Sequence, residues 1–336
     1  MRNLGYPLRV WIEAAIGAGI SIALHFFSVF PFIFLFLIPL QILRVRHGLK
    51  IFNYTALTAF IITALIHFST GSSSEPELVF IIKLSQYISI LLLFGLWLIN
   101  QDETLQVTKQ NLLLIATLIS GTSGIFLLNA SMKNPENIQS LQQLVYVFED
   151  TCLTQIGDME FCKVFFTNFS RTIVKWFPRF NILAYVLFLL SGWWVGNRLG
   201  ALSIRTPLQG NLLYFRVNSW SLWVLLVSAS ILVINIFKDM GVYSNITYNL
   251  IGIFLFLYLL QGIGILRWLF LKYRVSRIMR IGINSVIFFM LFGEITQFIT
   301  LLGLPLVGLS ETWLDFGRPK SPNGYIADTD SDSLKE

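Results

Sequence analysis

The chain has 336 residues, of which 55% are hydrophobic and only 12% are charged. Soluble domains carry about 25% charged residues, so this composition excludes an ordinary water-soluble domain. The net charge of +6 comes from short clusters of Lys and Arg between apolar blocks and not from one basic surface, which argues against nucleic acid as a partner. The blocks are about 18 to 22 residues long, the length of helix that crosses a bilayer.

In chain order, these blocks predict an all-α, polytopic transmembrane bundle of about nine spans, within a range of eight to ten. The first block has no A-x-A-like cleavage site, so it predicts a membrane anchor and not a removable signal peptide. The predicted spans are 10–27, 29–43, 51–69, 80–99, 111–130, 180–197, 219–237, 246–266 and 281–302.

Basic residues collect on one side of the predicted spans. Because cytoplasmic loops retain Lys and Arg, this side is predicted to be the cytoplasm, with the N-terminus in it. The predicted location is the cytoplasmic (inner) membrane of a bacterium. The residues that define the basic side are Arg2, Arg9, Arg44, Arg46, Lys50, Lys109, Arg198, Arg205, Arg216, Arg267, Lys272, Arg274, Arg277 and Arg280.

The region after Arg280 allows two topologies. The apolar stretch from Ile281 to Leu314 would form a helix of about 50 Å, too long for one untilted span. Gly303 and Pro305 are expected to break it. A single span would leave the C-terminus outside, whereas a second short or re-entrant segment would return it to the cytoplasm, with Trp313 and Arg318 at the interface.

Four regions follow from this pattern: a membrane half of about five spans (1–130), an exterior segment (131–179), a second membrane half (180–318) and a disordered polar tail (319–336). Helical spacing of apolar residues predicts two amphipathic helices in the exterior segment, lying on the membrane or capping the bundle. The first contains Leu141, Leu144, Val145, Phe148, Cys152 and Ile156, and the second Phe161, Phe165, Phe169, Ile173 and Phe177.

The chain has two cysteines, Cys152 and Cys162, and both fall in the exterior segment. Oxidation is possible on that side of the membrane, so a disulfide bond between the two helices is one interpretation. The alternative is a pair of reduced cysteines that serve as small apolar residues.

Polar residues inside predicted spans are candidates for a binding cavity. Glu294 lies midway along the ninth span without a basic residue nearby, and Gln297 and Asn284 add polarity to the same region. A carboxyl group there either lines a substrate or proton site or forms an interhelical hydrogen bond. Ser120 and Thr122, in a glycine and hydroxyl cluster of the fifth span, could line a cavity or allow tight packing. Glu13 is interpreted as an interfacial ion pair with Arg9, four residues before it.

Small residues in the first span form a face on which another helix could pack closely. Intramolecular packing is one explanation, and docking of a separate membrane subunit is the other. The positions concerned are Ala14, Gly17, Ala18 and Ser21.

No phosphate-binding loop, nucleophile elbow or metal-ligand spacing occurs in the sequence. We therefore predict no catalytic residue, no metal and no cofactor, and an enzyme is disfavoured.

Two segments resemble a known family. Residues 37–48 (LIPLQILRVRHG) and 303–318, which close with Trp313, Asp315, Phe316 and Arg318, are similar to the YybS-like bacterial membrane proteins, a domain of unknown function. The sequence departs from that family by Gly317 before Arg318 and by its acidic tail. The resemblance implies a distant similarity in fold to the S components of energy-coupling-factor vitamin transporters, in which a face like that of Ala14 and Ala18 docks the coupling subunit.

Two functional hypotheses follow. The first is a component that binds or transports a small solute, with Glu294 and Gln297 in the cavity. The alternative is a membrane scaffold that recruits envelope or cell-shape proteins through its small-residue face and exterior helices. Lipid is the expected environment in both cases, with a solute or a membrane subunit as the possible partner.

Overall fold

A computed structural model of the chain describes residues 5–27, 32–70, 76–105, 107–131, 135, 139, 146, 149–154, 159–204, 212–238, 240–290, 293 and 296–318. Within these ranges the secondary structure is entirely helical, joined by short turns. The chain forms two compact units, residues 1–208 and 209–336. The division therefore places residues 180–208 with the N-terminal half and not with the C-terminal half.

Four helical stretches of the described chain are long and apolar enough to cross a bilayer: Leu8–Phe27, Arg179–Ile204, Trp220–Phe237 and Tyr243–Lys272. Shorter apolar helices cover Leu49–Leu65, Tyr87–Ile99 and Thr296–Ser310. The all-helical membrane-type architecture is thus confirmed, whereas these helices alone do not establish nine spans.

Unit 1 is built around a series of helices of very different lengths. They are α1 (Gly5–Phe27), α2 (Leu37–His47, preceded by a 3-10 helix at Phe32–Phe36), α3 (Leu49–Thr70), α4 (Pro76–Ile99), the short α5 (Asp102–Leu105), α6 (Lys109–Ser131) and α7 (Met159–Ile204).

The predicted second span consists of two parts where it is described, a 3-10 helix and α2, and both contribute buried side chains. Its 3-10 helix and α2 run back along α1, since Ser21 bonds to Phe36, Gly17 lies against Leu43 and Glu13 bonds to His47. Together the two parts rise about 26 Å. They pack against Gly192, Gly196 and Gly200 of α7, where a Cβ atom would overlap Leu37, Gln41 and Val45.

Helix α7 is continuous for 46 residues, or about 69 Å. It joins the predicted amphipathic helix of residues 161–177 to the predicted span of 180–197, so the two are one element. The other predicted amphipathic stretch lies mostly outside the described residues.

Unit 2 contains α8 (Trp220–Phe237), α9 (Val242–Lys272), α10 (Arg277–Met290) and α11 (Thr296–Ser310), with a 3-10 helix at Leu212–Tyr214. The expected break at Gly303 and Pro305 is wrong, because α11 continues through both residues and buries Pro305. Packing against a neighbouring helix compensates for the backbone donor that proline lacks. The interruption instead lies between Met290 and Thr296, where Gly293 forms a bend.

Helix α11 packs closely on α9. A Cβ atom on Gly262 would overlap the Leu304 carbonyl oxygen, and one on Gly308 would overlap the Tyr258 carbonyl oxygen. Beyond the end of α11, Glu311 accepts a hydrogen bond from Gln261, and the Phe316 carbonyl accepts one from Trp268.

Candidate functional site

Glu13 joins the start of α1 to the end of α2. Its carboxylate lies 3.3 Å from Arg9 Nε, 3.2 Å from Arg46 Nη2 and 2.8 Å from His47 Nε2. The pairing with Arg9 agrees with the interfacial interpretation. Arg46 and His47 come from 33 and 34 residues away in the chain, and no local spacing indicates them.

A network of carboxamides is buried where α2, α4 and α7 meet. Gln41 Nε2 donates to Asn197 Oδ1 at 2.9 Å and to Asn100 Oδ1 at 3.3 Å, and Asn100 Nδ2 donates back to Gln41 Oε1 at 2.7 Å. The three side chains largely satisfy one another in an apolar interior. Such a network fixes the register of the three helices and is a structural feature.

Ser120 and Thr122 do not face a common cavity. Ser120 is buried beside Tyr185, whereas Thr122 is exposed and its hydroxyl donates to the Leu118 carbonyl of its own helix at 2.8 Å. Between them, Gly121 packs so closely on Ile182 that a Cβ atom would overlap it. The glycine and hydroxyl cluster serves tight helix packing.

The small-residue face of α1 is occupied by this chain. Ala14, Ala18 and Ser21 are buried, Ser21 Oγ donates to the Phe36 carbonyl at 2.6 Å, and a Cβ atom on Gly17 would overlap Leu43. This packing agrees with the intramolecular explanation of the face and leaves little of it open to a separate subunit.

A small cavity lies between α1, α3 and α4. Its polar lining comes from Ser21, His25, Thr63 and Ser89, and its volume is about 30 Å³. That space holds one or two water molecules, whereas pockets for organic ligands enclose roughly 300–1,000 Å³.

The remaining cavity candidates belong to unit 2, and they do not line the small cavity between α1, α3 and α4. Asn284 is exposed on α10, and Gln297 is half-buried at the start of α11. Glu294, the main candidate, lies outside the described residues.

Glu311 is the centre of a buried polar cluster in unit 2. The guanidinium of Arg318 binds its carboxylate through both Nε (2.6 Å to Oε1) and Nη2, and Arg216 lies 3.8 Å away. Arg318 also donates to the carbonyl oxygens of Leu213 (3.3 Å) and Phe215 (3.2 Å). Each of the three nitrogens of this buried guanidinium therefore has an acceptor.

Two side chains of α9 complete the cluster. Gln261 donates to Glu311 at 2.8 Å and to the Gly308 carbonyl at 3.0 Å, and it accepts from the Val217 N–H at 2.7 Å. Trp268 Nε1 donates to the Phe316 carbonyl at 3.0 Å. The C-terminal signature around Trp313 and Arg318 thus closes unit 2, and Gly317 within it adopts a positive φ of 66°. Glu311 and Arg318 are only seven residues apart, but sequence reasoning missed this role because their other partners and that of Phe316 lie 48 to 105 residues away.

A disulfide bond joins Cys152 to Cys162, with the Cα atoms 5.9 Å apart. It ties the helical residues 149–154 to the first turn of α7. Phe161, Val164 and Phe165 in this part of α7 are about half exposed, and the rings of Phe161 and Phe165 stack at 5.9 Å. The beginning of α7 therefore presents a covalently fixed apolar surface.

The described residues contain no group of three or more His, Cys, Asp or Glu side chains that could hold a metal ion. Comparisons of the chain with protein-family models, with curated proteins and with solved structures find no match. The YybS-like resemblance stays a prediction.

Proposed function

We propose that this chain is a multi-pass membrane scaffold that binds a partner protein on the exterior side through the first turns of α7. The length of α7 carries the proposal. Hydrocarbon about 30 Å thick takes about 20 residues of helix, and α7 has 46. If Arg179–Ile204 crosses the membrane, residues 159–178 extend about 30 Å beyond that stretch.

The charge distribution supports the exterior placement of these turns. Several contacts bring basic helix ends of unit 1 together. Glu13 binds Arg9 and Arg46, and Asp102 binds Lys109. The carboxamide network joins the same end of the unit to α7 next to Arg198. Cys162 lies 36 residues before Arg198 on α7, at the other end of the helix. A disulfide bond fits an oxidising compartment, which agrees with this direction.

Exposed aromatic residues support a protein partner. Large apolar side chains that are half exposed in an aqueous compartment are typical of interaction surfaces. The disulfide bond holds them in one conformation before binding, which lowers the entropy cost of association.

The test is photo-cross-linking in intact cells from a photoreactive phenylalanine analogue at Phe161 or Phe165. We expect one exterior envelope protein to be captured from these positions and not from Phe60, an exposed position on α3 in the apolar stretch of that helix. Phe165→Asp should abolish capture from position 161 while the chain remains folded. Equal capture from all three positions would contradict the scaffold role.

The solute hypothesis predicts a different result. A small molecule bound in stoichiometric amount to the purified protein by mass spectrometry, and lost in Glu294→Gln, would favour it. The 30 Å³ cavity gives it no support in the described part of the chain.

A further inference from the structure

The turn between α9 and α10 concentrates positive charge. Lys272, Arg274, Arg277 and Arg280 fall within nine residues, and Arg277, Arg280 and Asn284 share one face of α10 at spacings of three and four residues. Lys272, Arg274 and Arg277 are exposed, and Arg280 is half-buried.

Three carboxylates elsewhere in the described chain are paired with other basic residues. Glu13 binds Arg9 and Arg46, Asp102 binds Lys109, and Glu311 binds Arg216 and Arg318. Among the described residues, no Asp or Glu pairs with the four cations of the turn, and Arg280 Nε is buried there without a hydrogen-bond acceptor. The turn therefore carries four positive charges that the described chain does not neutralise.

The backbone of the turn is well defined. Val275 N–H bonds to the Phe270 carbonyl and Arg274 N–H to the Leu271 carbonyl, the pair of bonds that ends a helix in a Schellman motif. Arg274 occupies the left-handed position, with φ of 49°, where glycine is usual. Ser276 Oγ then accepts from Met279 N–H and caps α10.

Apolar side chains accompany the charges. Tyr273, Ile278 and Met279 are 60 to 84% exposed, and Leu271 is half exposed. A surface that offers cations together with exposed aromatic and aliphatic groups matches the headgroup region of a membrane, where phosphate groups and acyl chains meet. Its position at the end of α9 places it at that depth if α9 spans the bilayer.

We infer that this basic turn binds the phosphate groups of anionic phospholipids in the leaflet on its side of the membrane. The inference rests on α9 spanning the bilayer and not on the exterior scaffold role, so either can fail alone. A free phosphate would satisfy the cations but would leave the apolar side chains exposed, which favours the lipid.

Thermal unfolding of the full chain in neutral detergent tests this inference. Short-chain phosphatidylglycerol, phosphatidylcholine and inorganic phosphate are titrated in separate experiments. Only phosphatidylglycerol should raise the melting temperature. Arg274→Gly should weaken its apparent affinity about fivefold, since each basic residue near a membrane surface contributes about that factor. Glycine is the residue best suited to a positive φ, so this variant removes a charge without disturbing the turn.

The matched control is Arg9→Gln, which also removes one exposed positive charge but one that Glu13 already neutralises. Its affinity for phosphatidylglycerol should equal that of the wild type. Arg277→Gln with Arg280→Gln should lower the affinity by about a further twenty-fivefold.

Three outcomes would overturn the inference: equal affinity in Arg274→Gly and wild type, an equal response to inorganic phosphate, or an equal response to phosphatidylcholine. A fourth concerns the acidic residues after Arg318. If a chain that ends at Arg318 responds to phosphatidylglycerol and the full chain does not, the acidic residues after Arg318, and not lipid, occupy the basic turn in the full chain.

Discussion

Arg318 is a cation with almost no exposed surface, and its burial is stable because each nitrogen of its guanidinium donates to an acceptor. Glu311 supplies the balancing charge, and the carbonyl oxygens of Leu213 and Phe215 supply the rest. Desolvation of a single ion costs several kcal/mol, so such a pair is stable only while both partners are present.

Removing one partner should therefore destabilise unit 2 strongly. We expect Arg318→Ala to lower the free energy of unfolding by about 3–5 kcal/mol, because Glu311 loses its bidentate partner and two carbonyl groups lose a donor. Arg318→Lys keeps the charge but not the planar fork, and should fall between Arg318→Ala and wild type. Unfolding in mixed micelles with increasing dodecyl sulfate, followed by Trp fluorescence, measures both.

Arg267→Ala is the control for this pair of variants, because Arg267 is exposed on α9, the helix that supplies Gln261 to the cluster. Its effect should stay within about 0.5 kcal/mol. Identical midpoints for Arg318→Ala and Arg267→Ala would show that the buried cluster contributes nothing to stability.

At the residue scale, sequence reasoning found contacts only where the partners are close in the chain. Arg9 and Glu13 are one helical turn apart, so their pairing follows from periodicity. Gln41 and Asn197 are 156 residues apart, and Arg318 and Leu213 are 105 apart. Such contacts depend on the tertiary fold, which the local pattern does not contain.

At the scale of elements, glycine sets how closely helices approach. A Cβ atom on Gly308 would overlap the Tyr258 carbonyl oxygen, and one on Gly262 would overlap the Leu304 carbonyl oxygen. Backbone atoms cannot rotate aside as a side chain can. Close contact of α9 and α11 therefore requires glycine at both positions.

Gly308→Ala should push α9 and α11 apart and destabilise unit 2 by about 1–3 kcal/mol. Gly303→Ala is a matched control on the same helix, because a methyl group added at Gly303 would meet no atom within 4 Å. It should be neutral or stabilising by up to about 1 kcal/mol, since alanine favours the helix. The same unfolding titration compares them, and equal destabilisation by both variants would contradict the packing argument.

The ends of helices were predictable where the sequence changes from apolar to polar residues. They were not predictable where contacts with another helix determine whether the helix continues. The span near 246–266 corresponds to α9 (Val242–Lys272) with longer ends. By contrast, Gly303 and Pro305 have the composition of a break and yet lie within α11, because contact with α9 supports the helix there. The continuity of α7 was not predictable, because polar residues before position 180 made its first half resemble a separate segment.

At the scale of the whole molecule, the sequence allows the C-terminus on either side of the membrane, and the contacts within unit 2 favour one of them. Glu311 lies 3.8 Å from Arg216, which precedes α8, and the Phe316 carbonyl accepts from Trp268 near the end of α9. If α8 and α9 each cross the membrane once, Arg216 and the end of α9 lie on the same side, and residues 311–318 lie there with them. Arg216 belongs to the basic residues that predict the cytoplasm, so we expect residue 318 to lie on the cytoplasmic side.

Reporter fusions decide this topology. Alkaline phosphatase fused after Met240, in the turn between α8 and α9, should be active, because we expect that turn to face the exterior. Fused after Arg318, it should be inactive, while green fluorescent protein at the same position should fluoresce. If α10 and α11 instead formed a single span, the phosphatase after Arg318 would be active. In that case the Arg216–Glu311 contact could not form, since a hydrocarbon layer about 30 Å thick would separate the two residues.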